Sequence, residues 1–182
     1  EANRAYGYTA QQTLDCLQLL YEKKLSTYPR TDSRYLTEDM ESSLPKLCLE
    51  VVSAFGAETA LGLETEFETK KLNTGRVIDN SKVSDHHALL PTMEITGANL
   101  KELPTTERNL LTMICARLLC AICPDSHIFA ETSANFFCNG TEFKAKGRTE
   151  IAEWWKVWEK AFGIRIKNDD EEESGTKRTG SS

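Results

Sequence analysis

The positions of the apolar residues predict a mainly α-helical chain that also contains one β-hairpin. Apolar side chains recur at three- and four-residue steps over residues 9–25, which places them on one helix face: Leu14, Leu17, Leu20 and Tyr21. Thr9 followed by Gln12 has the pattern of a capping box, which marks the start of this helix. The helix must end before Tyr28, because the ring of Pro29 disfavours a helical conformation at the preceding residue.

Two more helices are predicted further along the chain. Thr37 can cap the first of them, and the acidic residues that follow it suit a helix N-terminus. Pro45 divides this helix into two pieces. The other helix covers residues 106–123, with Thr105 as its cap and Pro124 as its stop.

After residue 127 the helical period gives way to alternation, which is typical of a β-hairpin. One face collects Ile128, Ala130, Thr132, Ala134 and Phe136. Asn139-Gly140 supplies the turn, and residues 141–146 return as the second strand. A short helix is predicted over residues 150–162, with a tryptophan cluster at 154, 155 and 158. We expect these indoles to pack on the hairpin or on a further domain, with stacking on bases as the alternative.

Composition and charge exclude few classes of protein. The 182 residues and a hydrophobic content of 40% suit one globular domain or slightly more. Much of the net charge of −6 comes from the acidic run 169–173, so overall charge neither supports nor excludes DNA as a partner. Residues 166–182 are expected to form a disordered acidic tail. Residues 56–80 are weakly patterned, with a short helix near 58–63.

The cysteines and the first residues of the chain bear on the cellular compartment of the protein. Six cysteines show no paired zinc-ribbon spacing, and three of them lie in the apolar stretch 110–123, where thiols serve as small hydrophobes. We therefore predict reduced core thiols and a cytoplasmic protein. The chain begins at Glu1 without a signal segment and has no stretch long enough to span a bilayer, so we expect an excised piece of a protein without membrane contact.

A polar, cationic segment, Tyr28-Pro-Arg-Thr-Asp-Ser33, follows the first helix. Alternate side chains of an extended segment share a face, so Tyr28, Arg30 and Asp32 should point the same way. A phenol is a poor nucleophile at neutral pH, and a fixed cation beside it favours phenolate or steadies an anionic substrate. The planar fork of arginine suits a phosphate. On local chemistry alone, a loop tyrosine beside a surface Arg30–Asp32 ion pair is the more common arrangement.

A second polar segment, Ser84 to Thr92, contains two of the three histidines. His86 or His87 can hold a phosphate oxygen or move a proton near neutral pH, and so complete a site begun by Tyr28. A capped turn with exposed imidazoles and a metal site are the alternatives. A metal would need distant ligands as well, because adjacent histidines point apart in an extended chain.

Together the two segments resemble the signature motifs of type IA DNA topoisomerases. These are Tyr28-Pro-Arg-Thr-Asp-Ser33 and Asp85-His-His-Ala-Leu-Leu-Pro-Thr92, in that order. The topoisomerase III branch is the most similar, because of the paired histidines and the Tyr-Pro-Arg sequence. Gln18-Leu-Leu-Tyr-Glu22 is similar to the helix that leads into the family's tyrosine.

The resemblance implies an α+β, mainly α-helical fold. Residues 1–126 would form a tyrosine domain of winged-helix, catabolite-activator-like type. Residues 127–165 would form a returning hairpin and short helix of the arch domain, ahead of the tail 166–182.

The resemblance also implies roles for individual residues. Tyr28 would attack a phosphodiester of single-stranded DNA, giving a 5′-phosphotyrosine and a free 3′-hydroxyl. Arg30 would hold the scissile phosphate and stabilise its developing charge. His86 would contact a nearby phosphate, and Asp32 would orient the arginine or the histidine. Further DNA contacts are expected from Thr27, Ser33, Arg34 and His87.

The acidic metal-binding domain of the family has no counterpart in these 182 residues. The resemblance therefore implies that Mg²⁺ binds outside this fragment in the full-length enzyme, which needs no ATP. Single-stranded DNA and the other domains of the same chain are the expected partners, and the fragment alone should be inactive. A DNA-binding or protein-interaction module that has lost the chemistry is the main alternative. Tyrosine recombinases fit poorly, because there the arginine and histidine precede the tyrosine.

Overall fold

The first long helix, α2, follows a short helix α1 (Ala2–Tyr6) and covers Ala10–Glu22. Both halves of the predicted capping box form: the Gln12 N–H donates to Thr9 Oγ1 at 3.1 Å, and the Thr9 N–H donates to Gln12 Oε1 at 2.9 Å. The helix ends six residues before Tyr28, as the position of Pro29 predicts.

A computed structural model describes residues 1–55, 72–122, 128–152 and 162.

The second predicted helix is divided in two, as expected. A 3₁₀ segment at Glu38–Ser43 leads into α3 (Leu44–Ala54), and Pro45 lies in the first turn of α3, where its missing N–H costs nothing. Three further 3₁₀ turns follow in the described chain, at Thr74–Arg76, Asn80–Lys82 and Met93–Gly97. The short helix predicted near 58–63 lies outside the described residues.

The third predicted helix is α4 (Thr105–Ile122), whose start corrects one prediction. Thr105 is its first residue and not its cap, because the Arg108 N–H donates to the Pro104 carbonyl at 2.9 Å. Proline lacks an N–H of its own but can still offer its carbonyl to the first turn.

Helix α4 is the centre of the core. Its buried side chains, among them Leu111 and Leu119, belong to one cluster with Leu20 of α2, Leu44 and Val51 of α3, and Leu90 and Ile95 between α3 and α4. Glu107, in the first turn of α4, is only 4% exposed and forms an ion pair with Lys23 at 2.6 Å. This ion pair joins the C-terminal end of α2 to the N-terminal end of α4, close to where the tyrosine segment begins.

The predicted hairpin is present and longer than expected. Strand β1 (Ile128–Cys138) pairs antiparallel with β2 (Thr141–Ala152) through the Asn139-Gly140 turn. The helix predicted over 150–162 is wrong for residues 150–152, because the backbone there continues the ladder opposite residues 128 and 129. Its remaining positions up to 161, the tryptophans and the tail 166–182 lie outside the described residues.

The fold is therefore α+β, with helices followed by a two-stranded antiparallel sheet. Cysteines outside any disulfide are found where the sequence predicts core thiols: Cys16, Cys48 and Cys115 are buried, and Cys120 is half-buried. Cys138, in the hairpin, is exposed. In the described ranges no helix is long and apolar enough to cross a membrane.

Candidate active site

Backbone hydrogen bonds place the two motif segments side by side. The Thr27 N–H donates to the Leu90 carbonyl at 2.9 Å, and the Thr92 N–H donates to the Leu25 carbonyl at 3.2 Å. Ser26 and Pro91 form an antiparallel bridge between these bonds. Thr27 adds a bond through its side chain, because Oγ1 accepts from the Leu90 N–H at 2.9 Å. The chain thus enters the tyrosine segment already fixed to the strand that leaves the histidine loop.

A second set of contacts joins the segments beyond Tyr28. Thr31 Oγ1 donates to the His86 carbonyl at 3.1 Å, and the Ala88 N–H donates to the Tyr35 carbonyl at 2.8 Å. Ser33 Oγ donates to the Lys82 carbonyl at 2.9 Å. The tyrosine segment is therefore held to the histidine loop at both of its ends.

The loop before the histidines is anchored as well. The Leu36 N–H donates to the Val77 carbonyl at 2.7 Å. Lys82 Nζ lies 2.9 Å from Asp79 Oδ2 and 4.3 Å from the centre of the Tyr35 ring. The Ser81 hydroxyl and Lys82 lower the pKa of Asp79 by hydrogen bonding. Lys82 is thus already engaged with other side chains.

The central feature of the site is the contact between Tyr28 and His86. Their ring centroids lie 4.5 Å apart at an interplanar angle of 43°, although 57 other residues separate them in the chain. Tyr28 is half-buried and His86 is exposed. The structure therefore brings together the phenol and the imidazole that the sequence places in separate motifs.

The charged residues of the motif face solvent. Arg30, Asp32 and Arg34 are all exposed, and within the described part of the chain no hydrogen bond or ion pair engages their side chains. The surface ion pair between Arg30 and Asp32, the more common arrangement, does not form. The guanidinium groups of Arg30 and Arg34 are thus exposed and available to an anionic ligand.

The other predicted site residues have hydrogen-bonding roles in the fold. Thr27 and Ser33 bind backbone groups, as described above. His87 Nδ1 lies 2.7 Å from the Ala88 carbonyl, which can only accept, so this nitrogen carries the proton. Their contacts with DNA remain predictions.

Two residues that sequence reasoning missed belong to this site. Thr31 lies between Arg30 and Asp32 in the chain, and its hydroxyl donates to the His86 carbonyl. Tyr21 falls within the apolar period of α2 and looks like a core residue, but its ring contacts Tyr28 instead.

No group of three or more His, Cys, Asp or Glu side chains in the described ranges is arranged to hold a metal ion.

The chain matches a known family over almost its whole length. The family described as DNA topoisomerase matches residues 1–179, and the chain belongs to this family. It is 35% identical over 175 residues to a DNA topoisomerase 3 of Bacillus licheniformis, an alignment that covers 95% of this chain and 23% of that protein. With a DNA topoisomerase 3 of Bacillus subtilis the identity is 32% over 181 residues, covering 98% of this chain and 23% of that protein.

The similarity confirms the predicted resemblance to topoisomerase III. The chain spans 23% of the length of these relatives.

Proposed function

We propose that this chain carries the nucleophile of a type IA DNA topoisomerase, which cleaves and rejoins single-stranded DNA through Tyr28. The observation that supports this most is the 4.5 Å contact between the rings of Tyr28 and His86. Arg30, two residues after Tyr28 in the chain, is exposed and has no partner among the described residues. A phenol and an imidazole in contact, with a guanidinium two residues further along the chain, provide a nucleophile and two groups able to bind phosphate.

In the proposed reaction the Tyr28 oxygen attacks the phosphorus of a DNA phosphodiester and loses its proton. The bond from phosphorus to the 3′-oxygen breaks, and that oxygen leaves as a hydroxyl after taking up a proton. Attack by the same hydroxyl on the phosphotyrosine reverses each step. Because one phosphoester bond replaces another, strand passage between the two steps needs no ATP.

Arg30 and His86 stabilise charge in this scheme. The guanidinium can donate two parallel N–H groups to the non-bridging oxygens of the phosphate, where negative charge grows in the transition state. His86 contacts the same or the neighbouring phosphate, and Asp32 orients either the arginine or the histidine. Thr27, Ser33, Arg34 and His87 add contacts to the DNA backbone.

Several finer points belong to the proposal and follow from the family resemblance. Mg²⁺ is held by a metal-binding domain elsewhere in a longer cytoplasmic polypeptide, so this chain alone does not relax DNA. Residues 1–126 form a winged-helix-like domain, and residues 127–165 form part of the arch.

The test is covalent trapping with the full-length protein that contains this sequence. A single-stranded oligonucleotide labelled at its 3′ end is incubated with the protein and Mg²⁺, and the mixture is denatured in detergent and separated on a gel. The parent should carry the label, because cleavage leaves the 3′ fragment on Tyr28. Tyr28→Phe should carry none, whereas Tyr35→Phe, which changes a tyrosine two residues after the same segment, should still carry it.

Arg30→Ala tests the electrostatic role. It should slow adduct formation by roughly 10²-fold or more, as loss of an oxyanion donor does, with a much smaller change in DNA affinity. Labelled adduct from Tyr28→Phe would refute the assignment. Tight DNA binding by the parent without any adduct would instead support a module that has lost its chemistry.

A further inference from the structure

Tyr21 contacts the ring of the proposed nucleophile from the last turn of α2. The ring centroids of Tyr21 and Tyr28 lie 5.5 Å apart at an interplanar angle of 79°, which is an edge-to-face arrangement. Such pairs are favourable because the positive edge of one ring meets the negative face of the other. The Tyr21 side chain is 41% exposed, so core packing does not explain its place.

Tyr28 has little else to fix its orientation. In the described chain neither its backbone groups nor its hydroxyl forms a hydrogen bond, although Thr27 before it and Thr31 after it are both bonded. The backbone is thus anchored on either side while the side chain itself is held by ring contacts. These contacts come from two different elements: His86 in the loop and Tyr21 in α2.

Tyr21 lies near an end of α2 that is attached to the core. Lys23, two residues later, forms an ion pair with the buried Glu107 of α4, and Leu20 is completely buried. The end of α2 is therefore rigid relative to the core. A ring mounted there can fix the position of Tyr28, whereas His86 belongs to a loop.

We propose that Tyr21 is a positioning residue, whose edge-to-face contact holds the Tyr28 ring in the orientation from which its oxygen attacks DNA. This inference rests on the proposed function. The ring carries the effect and the Tyr21 hydroxyl does not, so phenylalanine should replace Tyr21 and leucine should not. The strength of edge-to-face pairs corresponds to a change of roughly 2- to 12-fold in the population of the held orientation.

Single-turnover cleavage of a 3′-labelled oligonucleotide by the full-length protein tests the rate. Tyr21→Leu should slow adduct formation by about 2- to 12-fold with an unchanged DNA dissociation constant, and Tyr21→Phe should match the parent. Leu19→Ala is the matched control, because Leu19 is an equally exposed apolar residue of α2. It should leave the rate unchanged.

An NMR measurement tests the contact without DNA. The tyrosine rings are labelled with ¹³C, and the Tyr28 signal is assigned by its loss in Tyr28→Phe. Tyr21→Leu removes a neighbouring ring current and should shift this signal, whereas Tyr21→Phe should leave it nearly in place. An unmoved signal in Tyr21→Leu would overturn the proposal.

The other outcomes separate the two proposals. If Tyr21→Phe were as slow as Tyr21→Leu, the hydroxyl would be responsible and the ring-positioning role would be wrong. A loss confined to DNA affinity would make Tyr21 a DNA contact, which also contradicts it. A parent that forms no adduct would refute the proposed function, while the NMR comparison would still decide whether Tyr21 holds the ring.

Discussion

Replacing Thr27 with valine tests how the residue before Tyr28 is held. Valine keeps the shape and β-branching of threonine but removes the hydroxyl that accepts the Leu90 N–H at 2.9 Å. Leu90 is 5% exposed, so water does not readily replace the lost acceptor. The Thr27 N–H bond to the Leu90 carbonyl stays, and the change therefore isolates one hydrogen bond at the junction of the two motifs.

A buried N–H left without a partner costs about 1–3 kcal/mol. The added methyl group returns less than about 0.8 kcal/mol, since Thr27 is only half-buried. Taking the middle of both ranges, Thr27→Val should lower the free energy of unfolding by about 1–2 kcal/mol. Thr27→Ser keeps the acceptor and loses one methyl group, so its cost should stay below about 0.8 kcal/mol.

Urea unfolding followed by circular dichroism measures both variants. With a slope of about 2 kcal/mol per molar urea, the Thr27→Val midpoint should fall by about 0.5–1 M and the Thr27→Ser midpoint by less than about 0.4 M. Adduct formation should fall in Thr27→Val as well, because the backbone at Tyr28 loses its anchor. A Thr27→Val protein as stable as the parent would refute the reasoning, and so would a serine variant as unstable as the valine variant.

Two further changes test local backbone strain and burial. Lys24 has a φ of 60°, so Lys24→Gly should raise the free energy of unfolding by about 0.5–1 kcal/mol, while Lys24→Ala, which keeps a Cβ, should gain nothing in the same urea assay. Burial raises the pKa of Cys48 to about 12. The folded thiol therefore keeps its proton where the unfolded thiol, with a pKa near ~8.5, loses it, so stability falls as the pH rises through this window. From pH 8 to 10 the parent should lose about 2 kcal/mol more than Cys48→Ala, and equal losses would contradict a buried thiol.

Sequence periodicity predicted the fold where one local signal dominates. The capping box at Thr9 and the Asn139-Gly140 turn each rest on interactions within a few residues, and both form as predicted. The predictions failed where a distant or competing partner decides. Thr105 has the chemistry of a cap, but the Pro104 carbonyl already accepts the first helical bond, and residues 150–152 pair with a strand that begins 22 residues earlier.

Predictions about the candidate site also succeeded where the signal was local and failed where a distant residue decided. Pro29 correctly predicted a non-helical Tyr28, because that effect is local. The contact with His86 follows from the resemblance of two motifs and not from any spacing within either. The Tyr21 contact depends on how the chain turns back after α2, where Lys24 adopts a left-handed conformation that its residue type does not favour.

In the candidate site, the side chains that hold the two motif segments together are different from the charged side chains that would bind the phosphate. Thr27, Thr31 and Ser33 bind backbone carbonyls and N–H groups of the neighbouring segment, and none of these bonds involves a charged side chain. Arg30 and Asp32 are left without partners in the described chain. A cation already paired with a carboxylate would have to break that pair before gripping a phosphate, whereas an unpaired one can bind at once. Variants of the first group should therefore change stability and rate together, and variants of Arg30 should change the rate alone.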